Sequence, residues 1–477
     1  CYTGDILDTN RDKYSLQYYV NKAKEIEKMG AHILAIKDMS ALLKPYSARK
    51  LIKALKNEIS IPIHLHTHDT TGTGVATVLM AAEAGVDIVD TTFNGMSGLT
   101  SQPALNSIVA ALENTDRDTG IDLNDIQKLS DYWDGIRPIY SKFESGLKSG
   151  SAEIYKYEIP GGQYSNLRPQ VESFGLGHRF KEVKLMYKRV NEMVGDIIKV
   201  TPSSKMVGDM AIFMVQNDLT PENVYNKAKN MAFPDSVVSY FKGMMGQPEG
   251  GFPKDLQKLV LKGEKPIDVR PGELLKDEDF QGIKGHINKR FSIKATNRDA
   301  ISYALYPDVY EEYLKFLQEF GNVSRIRSDV FLHGLAEGEV SEIDLGEGKT
   351  IIVKLVQIGN IDLDGYRNVD FEINGYRRSI RIKDRTQTVR SVLGEDSKFR
   401  MADSNNKSDV GASIPGNIIK ILVKKGERVE EGQSLAVIEA MKMETNIVAT
   451  IEGIIEAVYV SEGQQVKTGE LLMKISN

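Results

Sequence analysis

A duplication near the end of the chain constrains its fold more than any other feature. GNIIKILVKKGERVEEGQSLAVIE, starting at Gly416, lines up with GIIEAVYVSEGQQVKTGELLMKIS, starting at Gly453, at a constant offset of 37 residues. Gly426 matches Gly463, Val429 matches Val466, Gly432 matches Gly469 and Leu435 matches Leu472. Each copy reads as strand, turn, strand and is too small to bury its own apolar face, so the copies must pair into a flattened barrel with pseudo-twofold symmetry. Between them falls EAMKMET, which puts Lys442 at the hinge.

The other end has a different period. AHILAIKD (31–38), IPIHLHTHD (61–69) and VDIVDTTF (86–93) are β-rich, and the segments 15–29, 43–58 and 73–85 between them are helix-like. Such alternation predicts a parallel sheet with right-handed crossovers. No GxGxxG turn follows any of these strands, which disfavours a dinucleotide-binding sheet and favours a (β/α)8 barrel. CYTGDI is a possible further strand, making four, or half a barrel. The chain has no initiator methionine and begins on an apolar stretch, so the remaining strands are expected upstream of Cys1.

The expected fold class is therefore α/β: a partial (β/α)8 TIM barrel with a helical appendage, a small β-rich domain and an all-β carboxyl-terminal domain. Residues 104–327 carry mostly helical periodicity and extend the barrel into one domain, 1–327. KTIIVKLVQI, NVDFEI and YRRSIRIK predict a small antiparallel domain over 328–393, and the polar segment 394–409 predicts a flexible linker to the duplicated domain at 410–477.

At 477 residues the chain should hold two to four domains, and 41% hydrophobic with 27% charged residues is the balance of a globular protein. With 61 basic against 66 acidic residues there is no electrostatic footprint for nucleic acid. One cysteine, no apolar run of about 18 residues and no signal-like amino end predict a cytoplasmic protein that does not enter a membrane.

Three motifs carry chemistry. Lys442, flanked by two methionines on the hinge, resembles the AMKM lysine of the biotinyl domains of biotin-dependent carboxylases; a lipoyl domain shares the architecture but usually shows DKA at this turn. A long tether suits a cofactor that takes CO2 at one site and releases it at another. HLHTHD puts His64, His66 and His68 on one face of a strand, and its position near the strand's carboxyl end favours His66 and His68 as divalent-metal ligands, with His64 a core residue one layer down. Lys37 lies at the equivalent height on the preceding strand. It is either paired with Asp38 or another acid, or carbamylated by CO2 into an oxygen ligand. In VTPSSK, Thr201 or Ser203 is suited to cap a helix.

ILAIKDM, HLHTHDT, SGLTSQP (97–103), PGGQYSNL (160–167) and VTPSSK (200–205) follow one another as in the carboxyltransferase domain of pyruvate carboxylases. The later segments are similar to that family's allosteric tetramerisation and biotin carboxyl carrier domains. The resemblance implies biotin on Lys442 and a zinc or manganese ion on carbamylated Lys37, His66 and His68, with a fourth ligand, an aspartate, upstream. It also implies a proton relay at Thr201 between pyruvate and biotin, and biotin contacts from Ser204 and Lys205. The implied activity is carboxyl transfer to pyruvate, giving oxaloacetate for anaplerosis and gluconeogenesis, in an ATP-dependent ligase. The implied partners are an upstream biotin carboxylase domain, a biotin protein ligase and a homo-tetramer. The alternative is an oxaloacetate decarboxylase α subunit or a transcarboxylase.

Overall fold

Three parallel strands form where the β-rich runs predict them: β1 (Leu34–Asp38), β2 (Ile63–Thr67) and β3 (Ile88–Val89), in the order β1-β2-β3. They alternate with α1 (Leu16–Lys28), α2 (Pro45–Glu58) and α3 (Gly74–Glu83). The structure is a computed structural model that describes residues 1–476 apart from 12, 145, 230, 363–364, 385–400, 404–405 and 441–442. Successive side chains on a strand point to opposite faces. Leu34, Ile36, Ile63 and Leu65 therefore join Leu51, Ile52 and Leu55 of α2 in the core, while Lys37 is exposed and His64 and His66 are half-buried. The expected strand at CYTGDI does not form. Tyr2 N donates to Lys37 O at 2.8 Å, but Gly4, at φ 80°, turns the backbone away before a ladder can continue.

Helices follow: α4 (Leu105–Leu112), α5 (Leu123–Ile136), α6 (Gly161–Ser173), α7 (Phe180–Met193), α8 (Ser203–Gln216), α9 (Asp235–Lys242) and α10 (Lys254–Leu261). Every residue of α8 from Met206 to Val215 is buried. Apolar residues all round mark a helix enclosed by its neighbours, and Gly208 explains how closely α6 approaches: a Cβ there would lie 2.6 Å from Gln163 Nε2.

Contacts divide the chain into two compact units, Cys1–Pro271 with Phe399–Asn477, and Gly272–Lys398. The second unit holds α11 (Phe280–Phe291), α12 (Asn297–Leu305) and α13 (Pro307–Phe320) around Ile287, Phe291 and Leu314. It also holds an antiparallel meander of β4 (Val340–Gly346), β5 (Lys349–Ile358), β6 (Tyr366–Ile373) and β7 (Tyr376–Lys383).

The duplicated segment contains β8 (Asp409–Gly411), β9 (Gly416–Ile421), β10 (Arg428–Val429), β11 (Ser434–Ala440), β12 (Met443–Val448), β13 (Gly453–Val458), β14 (Gln465–Val466) and β15 (Leu471–Ser476). One sheet runs β10-β13-β15-β8 and the other β12-β11-β9-β14. Each sheet thus borrows a short strand from the other copy, as the pairing argument requires. Gly416 and Gly453 are needed for the same reason in both copies. A Cβ would meet Glu439 O at 2.5 Å in one and Ser476 O at 2.3 Å in the other, two carbonyls again 37 residues apart.

The same symmetry corrects the linker. Asp409 lies in β8, Ala402 N donates to Gly469 O at 2.9 Å and Met401 bridges to Glu470. β8 stands 37 residues before 446–448 of β12, so it supplies the second copy with part of the edge that β12 supplies to the first. The rest of 394–409, namely 394–400 and 404–405, lies outside the described residues. Among the described residues no helix is long and apolar enough to cross a membrane.

Candidate active site

Lys37 and His66 are register partners across β1 and β2, which places them at one height on the open face of the sheet. Asp90, just beyond β3, organises the imidazoles beside it: its two oxygens lie 2.7 Å from His64 Nε2 and 2.7 Å from His66 Nδ1. Burial raises the Asp90 pKa, but the hydrogen bonds from His64 and His66 outweigh it and hold the carboxyl below its ordinary range. His64 is therefore not the core residue expected; its side chain keeps 28% exposure and shares the Asp90 carboxylate.

His68 is held differently. Its Nδ1 donates to Thr100 O at 2.7 Å, and its Nε2 is buried with no hydrogen-bond partner. Burial lowers its pKa; the Thr100 carbonyl opposes this, and the charges of His66 and Lys37 reinforce it. A neutral imidazole tied through one nitrogen presents a lone pair on the other. His66, tied through Nδ1 to a carboxylate, is prepared in the same way, and the two rings stand 5.2 Å apart at 81°. Imidazoles oriented by a carboxylate or carbonyl behind them are the usual form of metal-ligating histidines. The donor set therefore fits a divalent ion, although no three His, Cys, Asp or Glu side chains among the described residues could hold one.

Asp38, the acid expected to pair with Lys37, is engaged elsewhere. Asp38 points to the opposite face, fully buried, and accepts from Leu42 N, Leu43 N and Thr67 Oγ1 at 2.9, 2.9 and 2.8 Å. It does not pair with Lys37, and no ion pair to Lys37 occurs among the described residues.

VTPSSK opens α8. Pro202 occupies the N-cap position and no side chain caps the helix. Ser203 Oγ instead accepts from Val200 N at 3.1 Å and donates back to the carbonyls of Val200 and Ile198. Thr201, exposed, is thereby free of the capping role. Ser204 is buried, and Lys205 extends to Asp209 Oδ2 at 2.6 Å. This loop lies beside the sheet, since Lys199 Nζ donates to Thr3 Oγ1 at 3.3 Å, one residue from the Tyr2 that bonds to β1.

Lys442 lies outside the described residues. Ala440 pairs with Met443, so the hinge position predicted for it lies between two paired strands in sequence. In the same compact unit β12 touches α9, where Asn446 Nδ2 donates to Asp235 Oδ1 at 3.1 Å.

Sequence reasoning missed four contributors. Asp90 ends a barrel-type strand, the position where such folds put functional groups, and was legible on that ground. Thr100 acts through its carbonyl, and Gly161 through lack of a side chain, since a Cβ would stand 3.2 Å from His68 Nδ1. Asp209 is a buried acid inside an apolar helix.

Comparison with known proteins accounts for this domain order. An HMGL-like model matches residues 9–132, a conserved carboxylase domain 154–354 and a biotin-requiring enzyme domain 406–475. The pyruvate carboxylase of Bacillus subtilis (strain 168) is 50% identical over 475 residues, which are 100% of this chain and 41% of that protein. The mitochondrial pyruvate carboxylase of Homo sapiens is 41% identical over 99% of this chain and 40% of its own length. Over its whole length the chain is similar to pyruvate carboxylases.

It spans about two-fifths of the length of these curated relatives. Among solved structures, the carboxyl transferase domain of Rhizobium etli pyruvate carboxylase with pyruvate and biocytin aligns with a TM-score of 0.73 at 47% identity. That alignment covers 81% of this chain and 65% of the other. The complete multifunctional pyruvate carboxylase from Rhizobium etli aligns over 99% of this chain and 43% of its own, with a TM-score of 0.71 and 44% identity. These neighbours show a carboxyltransferase architecture, a TIM barrel type, for this chain, and the match to a biotin-requiring enzyme model supports biotin as its cofactor.

Proposed function

We propose that the chain transfers a carboxyl group from carboxybiotin to pyruvate, giving oxaloacetate, with 1–327 as the carboxyltransferase domain, 328–393 as an allosteric and tetramerisation domain and 410–477 as the biotin carrier. The observation that carries this reading is His68 Nε2, a buried lone pair with no hydrogen-bond partner among the described residues, next to the Asp90-oriented His66 and to Lys37, which has no ion pair among the described residues. His66, His68 and Lys37, the last carbamylated, would hold a zinc or manganese ion. Bound there, the ion would supply a Lewis acid for the carbonyl oxygen of pyruvate. Biotin, joined to Lys442 by a biotin protein ligase, would supply the mobile carboxyl group.

The chain's own residues would manage protons and orientation. Thr201 Oγ1 can accept a proton from the methyl group of pyruvate while giving its own to the ureido nitrogen, because a hydroxyl donates and accepts without holding a charge. The absence of a capping bond leaves it free to do so. Ser204 and Lys205 would orient the biotin ring. Asp90, Thr100 and Gly161 hold the imidazoles against the end of the sheet, so that the ligand nitrogens need not reorganise when pyruvate binds. ATP-dependent loading of biotin is assigned to a biotin carboxylase domain outside these 477 residues, in a cytoplasmic homo-tetramer. An oxaloacetate decarboxylase or transcarboxylase has less support, since the relatives named above are pyruvate carboxylases.

The test is incorporation of labelled bicarbonate into oxaloacetate by the holoenzyme, dependent on ATP and pyruvate. Loss of incorporation in the His66→Ala and His68→Ala double variant, together with loss of bound metal by elemental analysis, is expected. Full incorporation by that variant would refute the assignment.

A further inference from the structure

The amino-terminal turn of α9 touches both sides of the transfer problem. Asp235, its first residue, accepts from Asn446 Nδ2 at 3.1 Å, and Asn446 lies on β12, the strand that leaves the hinge. Ser236, the next residue, donates to Asp209 Oδ2 at 2.7 Å, the oxygen that also receives Lys205 Nζ at 2.6 Å. Asp209 is fully buried, and its other oxygen accepts from Gln170 Nε2 of α6 at 3.2 Å. A carboxylate sealed among three helices survives only if donors satisfy it. Here three do: Gln170 is buried, Ser236 is half-buried, and Lys205 keeps 41% of its side chain exposed. The ammonium is thus tethered at a fixed place rather than swinging on a four-carbon stem.

The carrier meets the same surface at one further hydrogen bond and faces it with one further charge. Gln216 Nε2, at the end of α8, donates to Thr468 Oγ1 at 2.8 Å, and Glu431 lies close enough to Lys262 for their charges to interact. Thr468 and Glu431 occupy corresponding turns of the two copies, 37 residues apart, so both ends of the carrier's pseudo-twofold face α8–α10. One hydrogen bond could be incidental. Two hydrogen bonds from separate segments, the one nearer in sequence to Lys442 falling beside Lys205, describe an oriented surface.

We propose that the start of α9 is the docking element for the biotin carrier: Asp235 receives Asn446, while Ser236 and the buried Asp209 fix Lys205 beside it. The inference rests on the reading that Lys442 carries biotin. Asp235, Ser236 and Asp209 are positioning residues, since none needs to touch the reacting atoms. Docking and lysine placement share one turn of helix, so a carrier seated through Asp235 finds the ammonium already in place.

The holoenzyme provides the test, with oxaloacetate decarboxylation read twice, once with the tethered biotin as acceptor and once with free biotin added to protein that lacks it. Asp235→Ala and Asn446→Ala should each slow the tethered reaction about 2- to 10-fold, the range of one lost hydrogen bond. The double variant should be no slower than the slower single variant, because both remove the same contact. The free-biotin rate should stay within about twofold in all three. Asp209→Asn keeps the shape and breaks the tether, so it should raise the free-biotin KM as well. Multiplicative losses in the double variant, or equal losses with free and tethered biotin after Asp235→Ala, would overturn the proposal. If the unaltered protein uses neither form of biotin, the functional reading has failed, and cross-linking then decides the docking. An Asp235→Cys and Asn446→Cys variant treated with a short bismaleimide should yield a linked peptide pair containing both positions, and its absence would overturn the docking surface.

Discussion

Thr201→Ala separates chemistry from folding more sharply than any other single change. The helix-start motif allowed Thr201 to be a cap, whose loss costs about 0.5–2 kcal/mol. The structure moves that cost elsewhere. The N-cap position belongs to Pro202, and Ser203 Oγ satisfies Val200 N at 3.1 Å and bonds two carbonyls. Thr201 is exposed, so removing its hydroxyl and methyl should change folding stability by no more than about 0.5 kcal/mol. Ser203→Ala, the paired control, should cost about 1–2 kcal/mol because a backbone N–H loses its acceptor. Transfer should behave in the opposite way. Thr201→Ala should lower pyruvate carboxylation by about 100-fold or more, the contribution of a positioned proton-transfer group, and Ser203→Ala only by what its looser loop entails. Urea unfolding followed by circular dichroism gives the first quantity, and oxaloacetate formation coupled to NADH oxidation gives the second. ATP-dependent carboxylation of biotin should persist in Thr201→Ala. A variant with intact stability that forms oxaloacetate at more than about a tenth of the unaltered rate would refute the relay.

Further outcomes follow from the same geometry. Lys442→Arg, coexpressed with a biotin ligase, should contain no biotin by avidin blot, and retained biotin would place the attachment elsewhere. Asp90→Ala removes the acceptor shared by His64 and His66, so the metal dissociation constant measured by chelator competition should rise about 10- to 100-fold with the fold intact. Glu158 accepts from Arg11 and the almost fully buried Lys199. Burial raises its pKa, but the charges of Lys199 and Arg11 more than offset this and leave it lowered. Stability from this group is therefore complete above the ordinary carboxyl pKa and is lost as pH falls through the lower folded value. Glu158→Gln should flatten that acid limb and, by leaving Lys199 unpaired, cost about 3–5 kcal/mol at neutral pH, measured by urea unfolding.

Much of this protein is local in origin, and that part is what its sequence determines. Periods of 3.6 and 2 residues, read over ten to fifteen positions, place α1–α3 and β1–β3 within a few residues of where they form, because each element must turn one apolar face inward. The offset of 37 residues determines the pairing of the two carrier copies, since neither can close a core alone. The spacing of His66 and His68 determines that the rings share a face. Tertiary structure alone decides what stands behind those rings. Asp90 and the Thr100 carbonyl reach them from 24 and 32 residues away and set which nitrogen is free. It decides that Met401, Ala402 and Asp409 pair with the duplicated domain where composition predicts a linker, because an unpaired strand edge outweighs a polar sequence. It decides that Ser203, not Thr201, holds the start of α8, and that a buried carboxylate, Asp209, tethers Lys205 across three helices. Hydrogen bonds between distant segments leave no period in a sequence, because their partners are chosen by the packing of apolar faces that brings them together.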